Sequence, residues 1–119
     1  MNKYELLKRT KTYALRVIKA VQALPRNDVS DVLGRQLLRA GTSVGANYRA
    51  ACRAKSTADF VNKPKIVEEE CDESLYWMEL MIESGLIRLG RLELLMQEGD
   101  QLLAIFVSAI KTTRTARQS

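Results

Sequence analysis

The chain has 119 residues, 46% hydrophobic and 28% charged, with only 6 glycines and 2 prolines. That balance fits one globular domain and excludes a collagen-like or largely disordered chain. Histidine is absent, which excludes Ser-His-Asp triads, Cys-His pairs, His-ligated zinc and Glu-x-x-His di-iron sites. The net charge of +5 is segregated: residues 1–65 carry a net +10, residues 66–100 a net −8 and residues 101–119 a net +3.

The spacing predicts a first helix over residues 3–24. Tyr4, Leu7, Ala14, Ile18 and Val21 fall on one face, and Leu6, Tyr13, Val17, Ala20 and Leu24 on the face beside it. Pro25 ends this helix, because it disfavours helical geometry at Leu24 and has no N–H to donate. Asn27, Asp28 and Ser30 then offer caps for a second helix over 30–52, whose inward stripe is Leu33, Leu37, Val44, Tyr48 and Ala51. Glycine within a helix costs about 1 kcal/mol relative to alanine. Gly41 and Gly45, four residues apart, therefore point either to a close helix approach or to a loop over 41–45. Ser56-Thr57-Ala58-Asp59 resembles a capping box and opens a third helix over 57–84, with Phe60, Val67, Cys71, Ser74, Leu75, Met78 and Ile82 inward. Pro64 predicts a kink near 60–64, since its ring meets the carbonyl of Phe60. Gly85 suits a left-handed cap. A fourth helix is expected over 91–113, on Leu92, Leu95, Met96, Leu102, Leu103, Phe106, Ala109 and Ile110, with a basic tail over 114–119 that frays. No useful length alternates with period two. The expected fold is all-α: one domain over 1–119, an antiparallel up-down-up-down four-helix bundle.

Cys52 and Cys71 have no C-x-x-C partner and cannot complete a zinc site alone. No metal or cofactor is expected. The N-terminus lacks the apolar run of a signal peptide, and no apolar stretch approaches the ~20 residues that span a bilayer. A reduced, cytoplasmic protein with no membrane partner is expected. Glu68, Glu69, Glu70, Asp72 and Glu73 are too close in sequence to converge from one helix on one ion, so a solvated or salt-bridged face is the plainer reading. Arg35, Arg49, Arg53 and Lys55 are candidates for phosphate contact, since arginine suits bidentate recognition. Arg39 stands in register with Ser43 and Asn47, a polar network that can reach the third helix's glutamates. Trp77, Leu80 and Met81 lie off the third helix's inward stripe, and Leu94, Ile105 and Val107 off the fourth's. Such an excess predicts an oligomer interface.

Gly34 to Glu70 reads GRQLLRAGTSVGANYRAACRAKSTADFVNKPKIVEEE. With Glu83-Ser84-Gly85-Leu86-Ile87 and Leu103-Ala104-Ile105-Phe106-Val107, it resembles the bacterial four helix bundle proteins, also called 23S rRNA intervening-sequence proteins. The chain departs from the family pattern at Ala50-Ala51, where many members have Glu-Gly, and at Pro64, where an aliphatic residue is usual. The resemblance implies a ring-like homopentamer and no enzymatic activity. A related branch, the accessory variability determinant of diversity-generating retroelements, binds a reverse transcriptase and nucleic acid. The expected function is a non-enzymatic oligomeric scaffold that binds RNA, DNA or a nucleic-acid enzyme through a basic surface. A protein-only interaction module and, more remotely, a carboxylate–metal enzyme are the alternatives.

Overall fold

The computed structural model describes residues 1–53 and 57–118, with the side chains of 1–53 and 63–112. Lys55 and the expected cap at Ser56 lie outside the described residues, as does the side chain of Phe60. The described residues form four helices and no strand: α1 (Lys3–Gln22), α2 (Asp28–Cys52), α3 (Thr57–Glu83) and α4 (Leu89–Gln118). They make a rod of 50 × 22 × 21 Å.

The helix ends follow from their caps. Asn2 and Asn27 each accept the N–H three residues on, from Glu5 and Ser30, at 2.9 Å. Asn27 rather than Ser30 therefore caps α2, which begins two residues before the predicted start. Ala23 closes α1 through its N–H to Lys19 and Ala20, so the helix ends at Gln22, ahead of the predicted 24. Gly85 takes φ +79°. Its N–H meets Ile82 at 3.0 Å while that of Leu86 meets Met81 at 3.0 Å, the paired bonds of a Schellman cap that needs a residue without Cβ. α3 is continuous through Pro64, where a kink is predicted. α4 starts at Leu89 rather than 91 and its backbone stays helical to Gln118. The tail expected to fray holds no glycine or proline to stop it.

One buried seam along every helix runs at spacings of three and four. It takes Leu6, Thr10, Tyr13 and Val17 in α1; Gly34, Leu37, Gly41 and Val44 in α2; Val67, Cys71, Ser74, Met78 and Met81 in α3; and Leu92, Leu95, Gly99, Leu102 and Phe106 in α4, with Ala40 and Leu75 buried beside it. This is the spacing of helices that mesh along a shared seam. Met81 is 0% exposed. Its assignment to an oligomer interface is therefore corrected: it lies three residues after Met78, inside the chain's own core.

Glycine sets the depth of the α1–α2 contact. A Cβ on Gly41 would stand 2.7 Å from Val17 Cγ2, and one on Gly45 3.3 Å from the Thr10 carbonyl oxygen. A Cβ on Gly34 would stand 3.2 Å from Leu24 Cδ1. The contact points thus run in opposite order along the two helices. The loop reading of 41–45 is overturned, since α2 is helical throughout and uses these positions for close approach.

One polar chain crosses the core. The Tyr13 hydroxyl donates to Ser74 Oγ at 2.7 Å, leaving the Ser74 proton for the Cys71 carbonyl at 2.6 Å. The Cys71 thiol donates to the Gly99 carbonyl at 3.4 Å. Three helices are tied through groups that would each be costly to bury alone. Burial pushes the Tyr13 phenol well above its usual value and the Cys71 thiol up to about 12.

Gly41→Ala is expected to destabilise the fold despite alanine's higher helix propensity. Overpacking typically costs about 1–3 kcal/mol against roughly 1 kcal/mol gained in propensity. Adding Val17→Ala should recover part of the loss, a non-additivity that urea unfolding of both single variants and the pair would measure. A second expectation concerns alkali. Below the ordinary thiol value of 9.0 both folded and unfolded states keep the Cys71 proton. Above it the unfolded chain ionises while folded Cys71 holds its proton toward about 12, so stability falls across that window. The slope is at most about 1.4 kcal/mol per pH unit for each such group. Urea midpoints between pH 8 and 11 should fall less steeply in Cys71→Ala, with Tyr13 and Tyr48 contributing to the fall that remains above their ordinary value of 10.0.

Candidate nucleic-acid interface

The α1–α2 contact leaves an open groove of about 630 Å³ on its outer side. From α1, Tyr4, Lys8 and Lys11 come at spacings of four and three, so they share a helix face. From α2, Thr42, Ala46, Arg49 and Arg53 do the same. Lys3 stands at the same end as Arg53, and Leu7, Thr10 and Gly45 contribute where the helices meet. Among the described residues the lining thus holds five cations and no carboxylate. None of the five makes an ion pair among the described residues.

Other cations are engaged. Arg9 Nε donates to Glu98 at 3.0 Å, its second nitrogen reaches both Glu98 and Gln101, and the bond to Glu98 raises its pKa. Arg39 bridges to α3, with Glu70 at 3.1 Å and with Glu73. The acidic stretch of α3 therefore has a cation of its own. Ser43 Oγ donates to the Arg39 carbonyl at 2.6 Å and Asn47 Nδ2 to the Ser43 carbonyl at 2.9 Å. The polar stripe is thus a ladder within α2, joined to α3, among the described residues, at Arg39. Among the described residues no three His, Cys, Asp or Glu stand close enough to hold a metal ion.

The structure divides the predicted phosphate-binding residues. Arg49 and Arg53 meet in the groove. Arg35 stands in a separate crevice with Arg26, Ser30 and Asp31. Lys3, Lys8 and Lys11 are missed by sequence reasoning, although their helical spacing, set beside Arg49 and Arg53, was available as a signal. Tyr48 lies inward: its ring is 5.6 Å from that of Phe106, and burial with a hydrogen bond to Cys52 pushes its phenol up to about 12. Of the predicted interface residues, Trp77 and Ile105 pack in part against the core and Leu80 is half-buried. Leu94 is 71% and Val107 43% exposed. Tyr76, 51% exposed and edge-on to Trp77, is an exposed aromatic that the stripe analysis passes over.

The family model for the 23S rRNA-intervening sequence protein matches residues 2–108. The chain belongs to that family. A crystal structure of a protein of unknown function from the S23 ribosomal protein family of Bacteroides thetaiotaomicron is similar, at 33% identity and TM-score 0.83. The match covers 89% of this chain and 98% of that one. No match was found among curated proteins. Membership thus fixes kinship and an all-α fold of four helices, and carries no catalytic assignment. No helix among the described residues is long and apolar enough to cross a membrane.

The Arg39 pairs lie at the surface, where such bridges contribute about 0–1 kcal/mol. Arg39→Ala should therefore cost less than Gly41→Ala in urea unfolding. Its effect should also shrink in high salt, as that of a steric clash would not.

Proposed function

We propose that this family member is a non-enzymatic scaffold that binds the nucleic-acid backbone through the α1–α2 groove. The observation that carries this reading is the lining itself: Lys3, Lys8, Lys11, Arg49 and Arg53 together, with no carboxylate beside them among the described residues. Cations that make no ion pair among the described residues suit displacement of counterions from a polyanion, which supplies affinity without regard to sequence. The opposite contact order of α1 and α2 supports an up-down-up-down bundle. Leu94 and Tyr76 support assembly with further copies; closure into a ring, and five as its number, rest on the family resemblance alone. A cytoplasmic location accords with such a partner, and a reverse transcriptase-like protein is a second partner of the kind the resemblance implies.

The test is a salt titration of labelled RNA and DNA binding, wild type beside the Arg49→Glu/Arg53→Glu variant. Affinity should fall steeply with salt. The double variant should bind every sequence more weakly by a similar factor. Its slope of log affinity against log salt should also drop, by about 0.7 per lost contact to single strands and 0.9 to duplex. Absence of binding at low salt, or binding indifferent to the two substitutions, overturns the reading in favour of a protein-only interaction module. Light scattering at the mass of one 13.4 kDa chain would overturn the oligomer.

A further inference from the structure

Tyr4 gives the groove a chemistry that its charge alone does not. The ring is 74% exposed, and it lines the groove beside the cations of both helices. It contributes nothing to the hydrophobic core, so core packing does not account for an aromatic here. Lys3 Nζ stands 5.3 Å from the ring centroid, a cation–π contact on one face that leaves the rest of the ring open. Lys8 and Lys11 continue the same helix face at spacings of four and three, and Arg49 and Arg53 face them from α2. An exposed ring at one end of a cationic track is the pairing that single strands require, a π surface for a base and ammonium or guanidinium groups for the phosphates that follow it. A duplex keeps its bases stacked on one another and offers such a ring no face. From Lys3 to Ala14 the α1 side of the groove rises about 17 Å, room for a short run of nucleotides.

We infer that the α1–α2 groove takes single-stranded nucleic acid in preference to duplex, with one base stacked on Tyr4 and its neighbouring phosphates on Lys8, Lys11, Arg49 and Arg53. The inference rests on the proposed function and narrows its ligand. Stacking needs only the ring, so it is indifferent to base identity and to the Tyr4 hydroxyl.

The experiment compares the full chain with its Tyr4→Ala, Tyr4→Leu and Tyr4→Phe variants. The probes are a labelled single-stranded RNA, the DNA strand of the same sequence, and each annealed to its complement. Tyr4→Ala and Tyr4→Leu should weaken single-strand binding about 5- to 100-fold, the range of one lost base stack. Tyr4→Phe should bind as wild type, and duplex binding should be unchanged in all three. Leucine keeps apolar area but has no π face, so its loss separates stacking from simple burial. Circular dichroism should show unchanged helicity, since Tyr4 is outside the core. Loss confined to RNA or shared with DNA identifies the strand without altering the site. Single-strand binding that tolerates Tyr4→Ala but collapses in Arg49→Glu/Arg53→Glu overturns this inference and leaves the basic groove standing. Equal wild-type affinity for strand and duplex overturns it as well. Failure of wild type to bind any probe at low salt overturns the proposed function, and this inference with it.

Discussion

The seating of Val17 against Gly41 is the contact on which the rest of the molecule turns. With no Cβ at 41, the two helices come close enough for Gly45 to approach the Thr10 carbonyl. That approach fixes which residue of α1 faces which residue of α2. A shift of one helical position would turn Lys8 and Lys11 by about 100° away from Arg49 and Arg53. The groove is therefore a consequence of the glycine seam. The residues that line it need only be the right type at the right spacing, because the packing beneath supplies their register.

The polar chain from Tyr13 to Gly99 does for α3 and α4 what Gly41 does for α2. Apolar seams tolerate sliding and repacking, because one leucine fills space much as another does. A buried hydroxyl does not tolerate it, since a slip that breaks Tyr13 from Ser74 leaves the buried Tyr13 hydroxyl without its partner, while Ser74 keeps only its bond to the Cys71 carbonyl. Gly99 belongs to the same arrangement: a Cβ there would stand 2.8 Å from both the Tyr13 hydroxyl and Leu75 Cδ2. Close approach at a glycine and an obligatory hydrogen bond thus act at neighbouring levels of one core.

Much of this architecture could be read from spacing, and the misreadings have physical causes. Helix number, the closeness implied by Gly41 and Gly45, the cap at Gly85 and the reach of Arg39 toward the α3 glutamates each depend on residues close in sequence, where periodicity is informative. Met81 is assigned outward because the stripe is continued from Leu75 and Met78 to Ile82, whereas the helix buries Met81 and leaves Ile82 half-buried. Ser74 is read as inward from spacing, but its partner Tyr13 lies on another helix and is set by tertiary packing. Gly99 was passed over for the same reason. Arg49 and Arg53 were recognisable as a pair, but Arg35 carries the same charge and lies elsewhere. Lys3, Lys8 and Lys11 carry the same charge as many surface lysines, and tertiary register is what brings them opposite α2.

The distribution of charge then follows a consistent division. Cations that cross to another helix meet carboxylates there, Arg9 at Glu98 and Arg39 at Glu70 and Glu73. Among the described residues, those that line the α1–α2 groove make no ion pair. Like charges three or four residues apart on a helix are destabilising by about 0.2–0.5 kcal/mol per pair, and Lys8 with Lys11 and Arg49 with Arg53 are such pairs. The chain holds ten acidic residues between 66 and 100, so carboxylates are not scarce; they are placed on other faces. A groove that concentrates repulsion in the free protein gains most from a polyanion, whose phosphates relieve every such pair at once. Binding and stability are linked on that account: a ligand that favours the folded groove stabilises the fold by mass action. On the proposed function, the mutual repulsion in the unbound groove is the same electrostatic term that would favour its occupation by a polyanion.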